Sequence, residues 1–349
     1  MTRRNTTIKD VANTARVSVA TVSNVLNGKD GLFSSETADV VWAAVKCLDY
    51  RPNQVARSLV HQKTKTLGVV VDRAHGRLTR NAYINGLLDG FLEFATDAGY
   101  QIKLFSLSTE SHSATLEQLE DGSVDGLALF APPANSELLP WAARTRMPLV
   151  FAGSAPPATQ FASVDIDDVE AARMAVNWLI AQGHTRIGWI CGPLIQWSSG
   201  RREEGYRKAM QEAGLAIRPE WRYVWDSCTV SGAAAAAALF QTSPDLTALL
   251  CWNDSYALEI MQELQRQGIR IPEDVSVIGF DDIEAAHWVQ PALTTVQQPI
   301  SKIGHKAAEV LIRQIKTGNA ETDLTVFRGE LIVRASASSP SQHQVRTAQ

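Results

Sequence analysis

Two groups of side chains in this sequence have types and spacings suited to recognition. The first follows Ser18, where Val19, Ala20, Thr21, Ser23, Asn24 and Asn27 fall on one side of a short helical pattern whose other side carries Val22, Val25 and Leu26. The outward residues are small and uncharged, so a duplex can approach closely while hydroxyls and the helix N-terminus bond phosphate. Asn24 has an amide able to pair with adenine in the major groove, whereas Val19 and Ala20 offer only apolar contact to a thymine methyl. The second group stands directly after apolar runs: Asn253-Asp254, Asp281-Asp282, and the stretch from Ser198 to Tyr206 that contains Arg202. Carboxylates, an amide and a guanidinium at one rim suit the vicinal hydroxyls of a sugar or similar polyol.

The first group needs a small helical frame, and the flanking residues supply one. Ile8, Val11, Ala12 and Ala15 recur at helical spacing behind Thr7, a capping residue; Ser18 caps the second helix. A third helix is expected after Ser34-Ser35, with Ala38, Val41, Val45 and Leu48 closing a thin three-helix core. A short helix pair alone is also compatible with a cap on an enzyme, but charge argues otherwise. The first 65 residues carry ten Lys/Arg against five Asp/Glu, and the rest 23 against 32. A basic head on an acidic body is the electrostatic footprint of a nucleic-acid-binding module joined to something that is not one.

The second group needs buried strands. Apolar runs recur at Leu67 to Val71, Ile102 to Leu107, Val124 to Ala131, Leu149 to Ala152, Ile187 to Cys191, Ala248 to Trp252 and Val275 to Phe280, each followed by a helix-like stretch. Continuous runs interleaved with helices predict parallel strands buried on both faces, with ligands beyond their carboxyl ends. The alanine run 233–238 reads as one good helix. At 349 residues the chain should hold three folding units, a head and two cores. Cys47, Cys191, Cys228 and Cys251 share no metal-ligand spacing, so no zinc site or disulfide is expected and all four read as buried small apolar residues. No metal or other cofactor is expected. The segment 335–349 lacks periodicity and is expected to be disordered. With no apolar leader after Met1-Thr2-Arg3-Arg4 and no run near the ~18 apolar residues of a membrane span, the expected location is cytoplasmic.

The motifs Thr21-Val22-Ser23-Asn24-Val25-Leu26-Asn27, Tyr50-Arg51-Pro52-Asn53 and Ala56-Arg57-Ser58-Leu59 resemble the head and hinge of lac and purine repressor-type regulators, the LacI/GalR family. The resemblance continues through Gly183 to Gly188, Asn253 to Ala257, Pro272 to Asp282 and Pro291 to Val296, covering roughly residues 6 to 337. It implies an N-terminal all-α helix-turn-helix head and an α/β periplasmic-binding-protein-like body of two doubly wound parallel-sheet subdomains joined by crossing strands. The implied division is 1–51 for the head, 52–62 for the hinge and 63–337 for the effector-binding region. Within that region the N-subdomain is about 63–165 with 297–326, the C-subdomain about 166–296 with 327–337, and 338–349 is a tail.

By the same resemblance Asn53, Ala56 and Arg57 lie in a hinge helix on DNA, and Leu59 is its minor-groove wedge. Arg202 and Asp281 would be effector ligands, Asn253 a third, and Tyr83, Phe130 and Ser198 wall residues. Plainer roles stand beside these: Asp281 and Asp282 as caps, Arg202 paired with Glu203 or Glu204, Asn253 as a helix N-cap. Trp197, Trp225 and Trp288 lie near the motifs and could stack on a sugar face, though core or surface packing is the favoured reading of each. Four positions depart from the pattern. Arg16 stands at a turn where glycine or asparagine is usual, and Asn24 replaces an arginine often found there, which leaves the base preference at that position open. Gly153 replaces an aspartate, and Gln196 replaces the arginine of purine-binding members, which favours a sugar or sugar acid.

The competing class is a sugar-active enzyme or solute-binding protein on the same fold. No two glycines are separated by one residue, and no phosphate loop, His-Glu-x-x-His or Gly-x-Ser-x-Gly occurs, so no catalytic residue is expected. A solute receptor would lack the basic head. The expectation is therefore a ligand-responsive repressor, a homodimer because one short recognition helix reads too few base pairs, on a pseudo-palindromic operator.

Overall fold

A computed structural model describes residues 6–29, 31–51, 63–72, 78–107, 112–153, 156, 161–224, 232–320 and 322–341. The chain divides into two compact units, Met1–Thr64 and Lys65–Gln349. In the first, α1 (Ile8–Ala15), α2 (Val19–Leu26) and α3 (Ser35–Cys47) surround Val11, Ala12, Ala15, Val22, Val25, Val41 and Ala44. The Asp10 carboxylate accepts from the Thr7 amide and hydroxyl, each at 2.8 Å, and fixes the start of α1. Arg16 ends that helix at φ 54°, a left-handed conformation that costs a non-glycine residue about 1 kcal/mol. The hydroxyls of Ser18 and Ser34 accept from the amides of Thr21 and Thr37, capping α2 and α3 as their positions predict. Cys47 is exposed, not buried as expected, because α3 turns its Val41–Ala44 face inward. The hinge expected at 52–62, with Asn53, Ala56, Arg57 and Leu59, lies outside the described residues.

The second unit holds two six-stranded sheets. The first is built from β1 (Thr66–Asp72), β2 (Gln101–Leu107), β3 (Gly126–Phe130), β4 (Leu149–Ala152) and β5 (Ala162–Ile166), with α4 (Ala82–Asp97), α5 (His112–Leu119) and α6 (Leu138–Ala142) between them. The second takes β6 (Ile187–Cys191), β7 (Arg222–Val224), β8 (Ala248–Cys251), β9 (Ser276–Asp281) and β10 (Thr294–Gln297). Its helices are α7 (Asp168–Ala181), α8 (Trp197–Glu212), α9 (Gly232–Thr242), α10 (Asp254–Arg266) and the four-residue α11 (Ala285–Trp288). The chain then returns to the first sheet through α12 (Ile300–Thr317) and β11 (Leu324–Phe327), and finishes on the second with β12 (Glu330–Ile332). The strand orders are β11-β5-β4-β3-β1-β2 and β12-β10-β9-β8-β6-β7, parallel throughout except for β12 against β10.

The chain thus crosses between the sheets at 166–168, 297–300 and 327–330. All seven expected runs are strands. The strands without an apolar run (β5, β7, β10, β11 and β12) are three to five residues long, carry polar side chains, or lie at a sheet edge.

Helices α4 and α12 pack closely because each offers a glycine to the other. A Cβ at Gly90 would collide with the Ser301 carbonyl, and one at Gly304 with the Leu87 carbonyl. Gly304→Ala is therefore expected to destabilise the body by about 2–3 kcal/mol in urea unfolding, despite alanine's better helix propensity. Unchanged stability would mean that the two helices part without cost.

The segment after β12 is not disordered as far as Ser341. The Ser336 hydroxyl donates to Val277 O at 2.6 Å and accepts from Thr294 N–H at 2.8 Å, while Ser338 O accepts from His184 Nε2 at 2.8 Å. Serine hydroxyls and backbone hold this stretch to the second sheet, which needs no hydrophobic period and so leaves none in the sequence.

Candidate DNA-reading face and effector cleft

In the first unit, α2 buries Val22 and Val25 and leaves Ser18, Val19 and Ala20 exposed, with Thr21, Ser23, Asn24 and Asn27 half-buried. Several of the polar groups expected to meet DNA also serve the fold. The Thr7 hydroxyl is held by Asp10, those of Ser18 and Thr21 lie 2.8 Å apart, and Asn27 Nδ2 donates to Ser23 O at 2.7 Å. Asn24 differs: among the described residues its side-chain amide has no hydrogen-bond partner, which leaves it for a base edge.

In the second unit, a cleft opens between the two sheets. Its walls come from the carboxyl ends of strands and the first turns of the following helices. Asn81 and Tyr83 begin α4, Ala131 follows β3, Asp165 and Ile166 end β5, and Asp168 begins α7. From the second sheet come Gln196, Ser198 and Arg202 at the start of α8, Trp252 and Asn253 after β8, and Asp281 at the end of β9. This is where an open parallel sheet presents its ligand-binding groups.

Arg202 is the centre of the site and only 5% exposed. Its Nε donates to Asp168 Oδ1 at 2.7 Å, Nη1 donates to the Trp252 carbonyl and lies 3.9 Å from Asp281 Oδ1, and the guanidinium sits 3.6 Å from the centre of the Phe280 ring. The expected alternative, pairing with Glu203 or Glu204, does not occur: Glu203 pairs with Arg222, and Glu204 with Lys208. Beside it, Arg201 Nη1 donates to Asp165 Oδ2 at 2.9 Å.

Burial raises the Asp168 carboxyl to about 6, with Arg202 opposing and Asp165 adding to the rise. The Asp281 carboxyl rises further, to about 8, because burial and the nearby Asp254 and Asp168 outweigh Arg202. Burial and the same group of acids push the Tyr83 phenol well above its usual range, so its hydroxyl stays protonated. Asp281 also has φ 121° and Asp282 φ 59°, strained conformations that cost of order 1–3 kcal/mol each and that concentrate at functional sites.

Of the six expected effector residues, five line the cleft: Tyr83, Ser198, Arg202, Asn253 and Asp281. Asn253 is at the same time an N-cap, its Oδ1 accepting from Tyr256 N–H at 2.9 Å, which leaves its Nδ2 for a ligand. Phe130 is not a wall residue. It packs edge-on against Phe91 in the core of the first sheet, and the next residue, Ala131, reaches the cleft instead. The side chain of a strand's last residue points to a sheet face rather than off its end. Asp254 and Asp282 are structural: Asp254 accepts from Thr295 Oγ1 and Ile283 N–H, and Asp282 from Arg334 and Gln297.

Asp165, Asp168 and Trp252 were not singled out from the sequence. The strand-end rule would have found the two acids had β5, with an aspartate inside it, read as a strand. Trp252 stands at the cleft with its Nε1 donating to Ser198 Oγ at 3.2 Å, and Gly192 makes room for its ring. Of the tryptophans named near the motifs, Trp288 is 76% exposed on α11, Trp197 does not line the cleft, and Trp225 lies outside the described residues. Gly153, at φ 67°, leaves the space that the Tyr83 hydroxyl occupies.

A helix-turn-helix unit and a two-sheet body with a polar cleft define a DNA-binding regulator with a periplasmic-binding-protein-like domain. Residues 7–53 match the bacterial regulatory proteins of the lacI family, and 176–337 match the periplasmic binding protein-like domain. The HTH-type transcriptional repressor PurR of Aliivibrio salmonicida (strain LFI1238) is 33% identical over 335 residues, 95% of this chain and 98% of that protein. Among solved structures, the transcriptional regulator CelR-cellobiose complex aligns with TM-score 0.74 and 31% identity over 95% of this chain and all of that one. The lac repressor dimer bound to operator and the anti-inducer ONPF aligns with TM-score 0.84 and 26% identity, over 96% of this chain and all of that one. The chain belongs to the lacI family of bacterial regulatory proteins and is a transcriptional repressor of that family, not an enzyme. Among the described residues no helix is long and apolar enough to cross a membrane, and no group of side chains could hold a metal ion.

Proposed function

We propose that this repressor acts in the cytoplasm as a homodimer on a pseudo-palindromic operator, and that its cleft holds a hydroxyl-rich small-molecule effector, a sugar or sugar derivative. The observation that carries the ligand class is the buried Arg202 guanidinium held among Asp168, Asp281 and the Phe280 ring at the strand ends. Planar bidentate groups above an aromatic face suit adjacent hydroxyls. The neighbour solved with cellobiose supports the same class.

The effector can shift the repressor only through differential affinity for two arrangements of the sheets. Motion between them must pass through the three crossings. Gln298, in the second crossing, donates to Asp281 Oδ1 at 2.6 Å, which gives the cleft a direct grip on one of them.

On the DNA side, Asn24 reads a base, Ser18, Val19, Ala20, Thr21 and Ser23 set the approach, Thr7 and Asn27 support them, and Asn53, Ala56, Arg57 and Leu59 belong to the hinge. The test is selection of sites from a random DNA library at one stated salt concentration, followed by titration with sugars and nucleobases. A two-fold symmetric site whose affinity changes with a sugar is expected. Asn24→Ala should cost about 1–3 kcal/mol on that site and almost nothing on random DNA. Leu59→Ala should likewise weaken the selected site far more than random sequence. Equal losses on both DNAs would remove the base-reading and wedge roles, and an asymmetric site would remove the dimer.

A further inference from the structure

Charge in the cleft is already committed, and that narrows the ligand. Among the described lining residues Arg202 is the one cation, and three are acids, Asp165, Asp168 and Asp281. Arg202 gives its Nε–H to Asp168 and an Nη1–H to the Trp252 carbonyl, and the adjacent Arg201 is paired with Asp165, so each cation already has a carboxylate partner. An incoming anion would share Arg202 with Asp168 and lie against the acids.

The second observation concerns Asp168 itself. It is 1% exposed, and among the described residues its Oδ2 has no hydrogen-bond partner, with Arg201 Nη1 4.0 Å away. An unmatched buried acceptor at the wall of a cleft calls for a donor, and a ligand hydroxyl brings one. A carboxylate or phosphate oxygen brings no proton and adds like charge at short range, in a medium that screens poorly. The Tyr83 hydroxyl and the Asn253 amide remain to meet the ligand's acceptor lone pairs.

We infer that this cleft selects an uncharged, hydroxyl-rich ligand that donates to Asp168, and rejects the uronic acid and phosphate forms of the same sugar. The inference rests on the cleft being the effector site, and it narrows the sugar-or-sugar-acid expectation to neutral sugars.

The test is calorimetric titration of the full-length protein at pH 7 and fixed salt with matched compounds. Neutral pentoses, hexoses and cellobiose are compared with glucuronate, galacturonate and glucose 6-phosphate. The expected result is a neutral binder at least 100-fold tighter than its charged counterpart. Asp168→Asn should lower that ratio at least tenfold, a change in selectivity that a purely structural role would not produce. Should Asp168→Asn fail to fold by its melting curve, the same ratio is read in Asp165→Asn, which removes an acid from the same wall. A charged member binding as tightly as its neutral partner overturns the inference and leaves the effector cleft standing. Binding by no member of any pair overturns the cleft assignment and the inference with it.

Discussion

Arg202→Ala should lower the unfolding free energy of the body by about 3–5 kcal/mol, the range for removing one partner of a buried ion pair, and abolish the effector response. The side chain is 6% exposed, so solvent screens little of this loss. Without it Asp168 loses its 2.7 Å partner, the Trp252 carbonyl loses a donor, and Asp281 loses its nearest cation. Both acids can escape by taking up protons, and both are already raised by burial. The penalty should therefore be smaller at pH 5 than at pH 8.

A control separates charge from packing. Adding Arg202→Met to Asp168→Asn removes one charge from each side and keeps a chain against Phe280; it should recover most of the stability and none of the binding. Urea unfolding at the two pH values and ligand titration read both quantities. A loss below about 1 kcal/mol at pH 8 would show that the pair is not stabilised by burial in the way described. Retained ligand affinity in Arg202→Ala would remove it from the effector site.

Asp281→Asn should have the opposite effect on stability and a similar one on function. In the unfolded chain this carboxyl has its ordinary value of 3.8, and in the fold it stands at about 8. Between these values the folded state holds a proton that the unfolded state has released, so this group's contribution to stability falls as pH rises through that window. Asparagine has the same shape, keeps an acceptor for Gln298 and does not ionise; it is also among the residues that best tolerate positive φ.

The variant should match the wild type near pH 4 and exceed it by roughly 5 kcal/mol at pH 8, while effector affinity falls at least 30-fold. A stability difference independent of pH would mean that Asp281 is ionised throughout. Glu263, held near 2 by hydrogen bonds from Arg266 and Gln267, works in the other direction. Its contribution is present above its unfolded value and lost below it, so acid unfolding should not be assigned to the cleft.

Much of the head was legible because its information is local. Thr7, Ser18 and Ser34 mark helix starts, and the apolar spacing around Val11, Val22 and Val41 gives the faces. The strands with continuous apolar runs were legible for the same reason. A buried parallel strand must be apolar on both faces, whereas β5 and the edge strands need not be. Ser336 and Ser338 were misread because hydroxyl-to-backbone bonds leave no periodic trace.

By itself, the sequence determined that a basic helix-turn-helix unit precedes a two-core α/β body, and that Arg202, Asn253 and Asp281 stand at strand ends where ligands bind. These follow from charge, capping and period, which act over a few residues. The tertiary structure alone decided that Phe130 points into the core while Ala131 reaches the cleft, that Arg202 turns from Glu203 to Asp168, and that Asp165 and Asp168 arrive opposite Asp281. Which carboxylates meet which guanidinium depends on where the chain crosses between the sheets, and a pairing across more than thirty residues is set by the packing of both cores rather than by any local pattern.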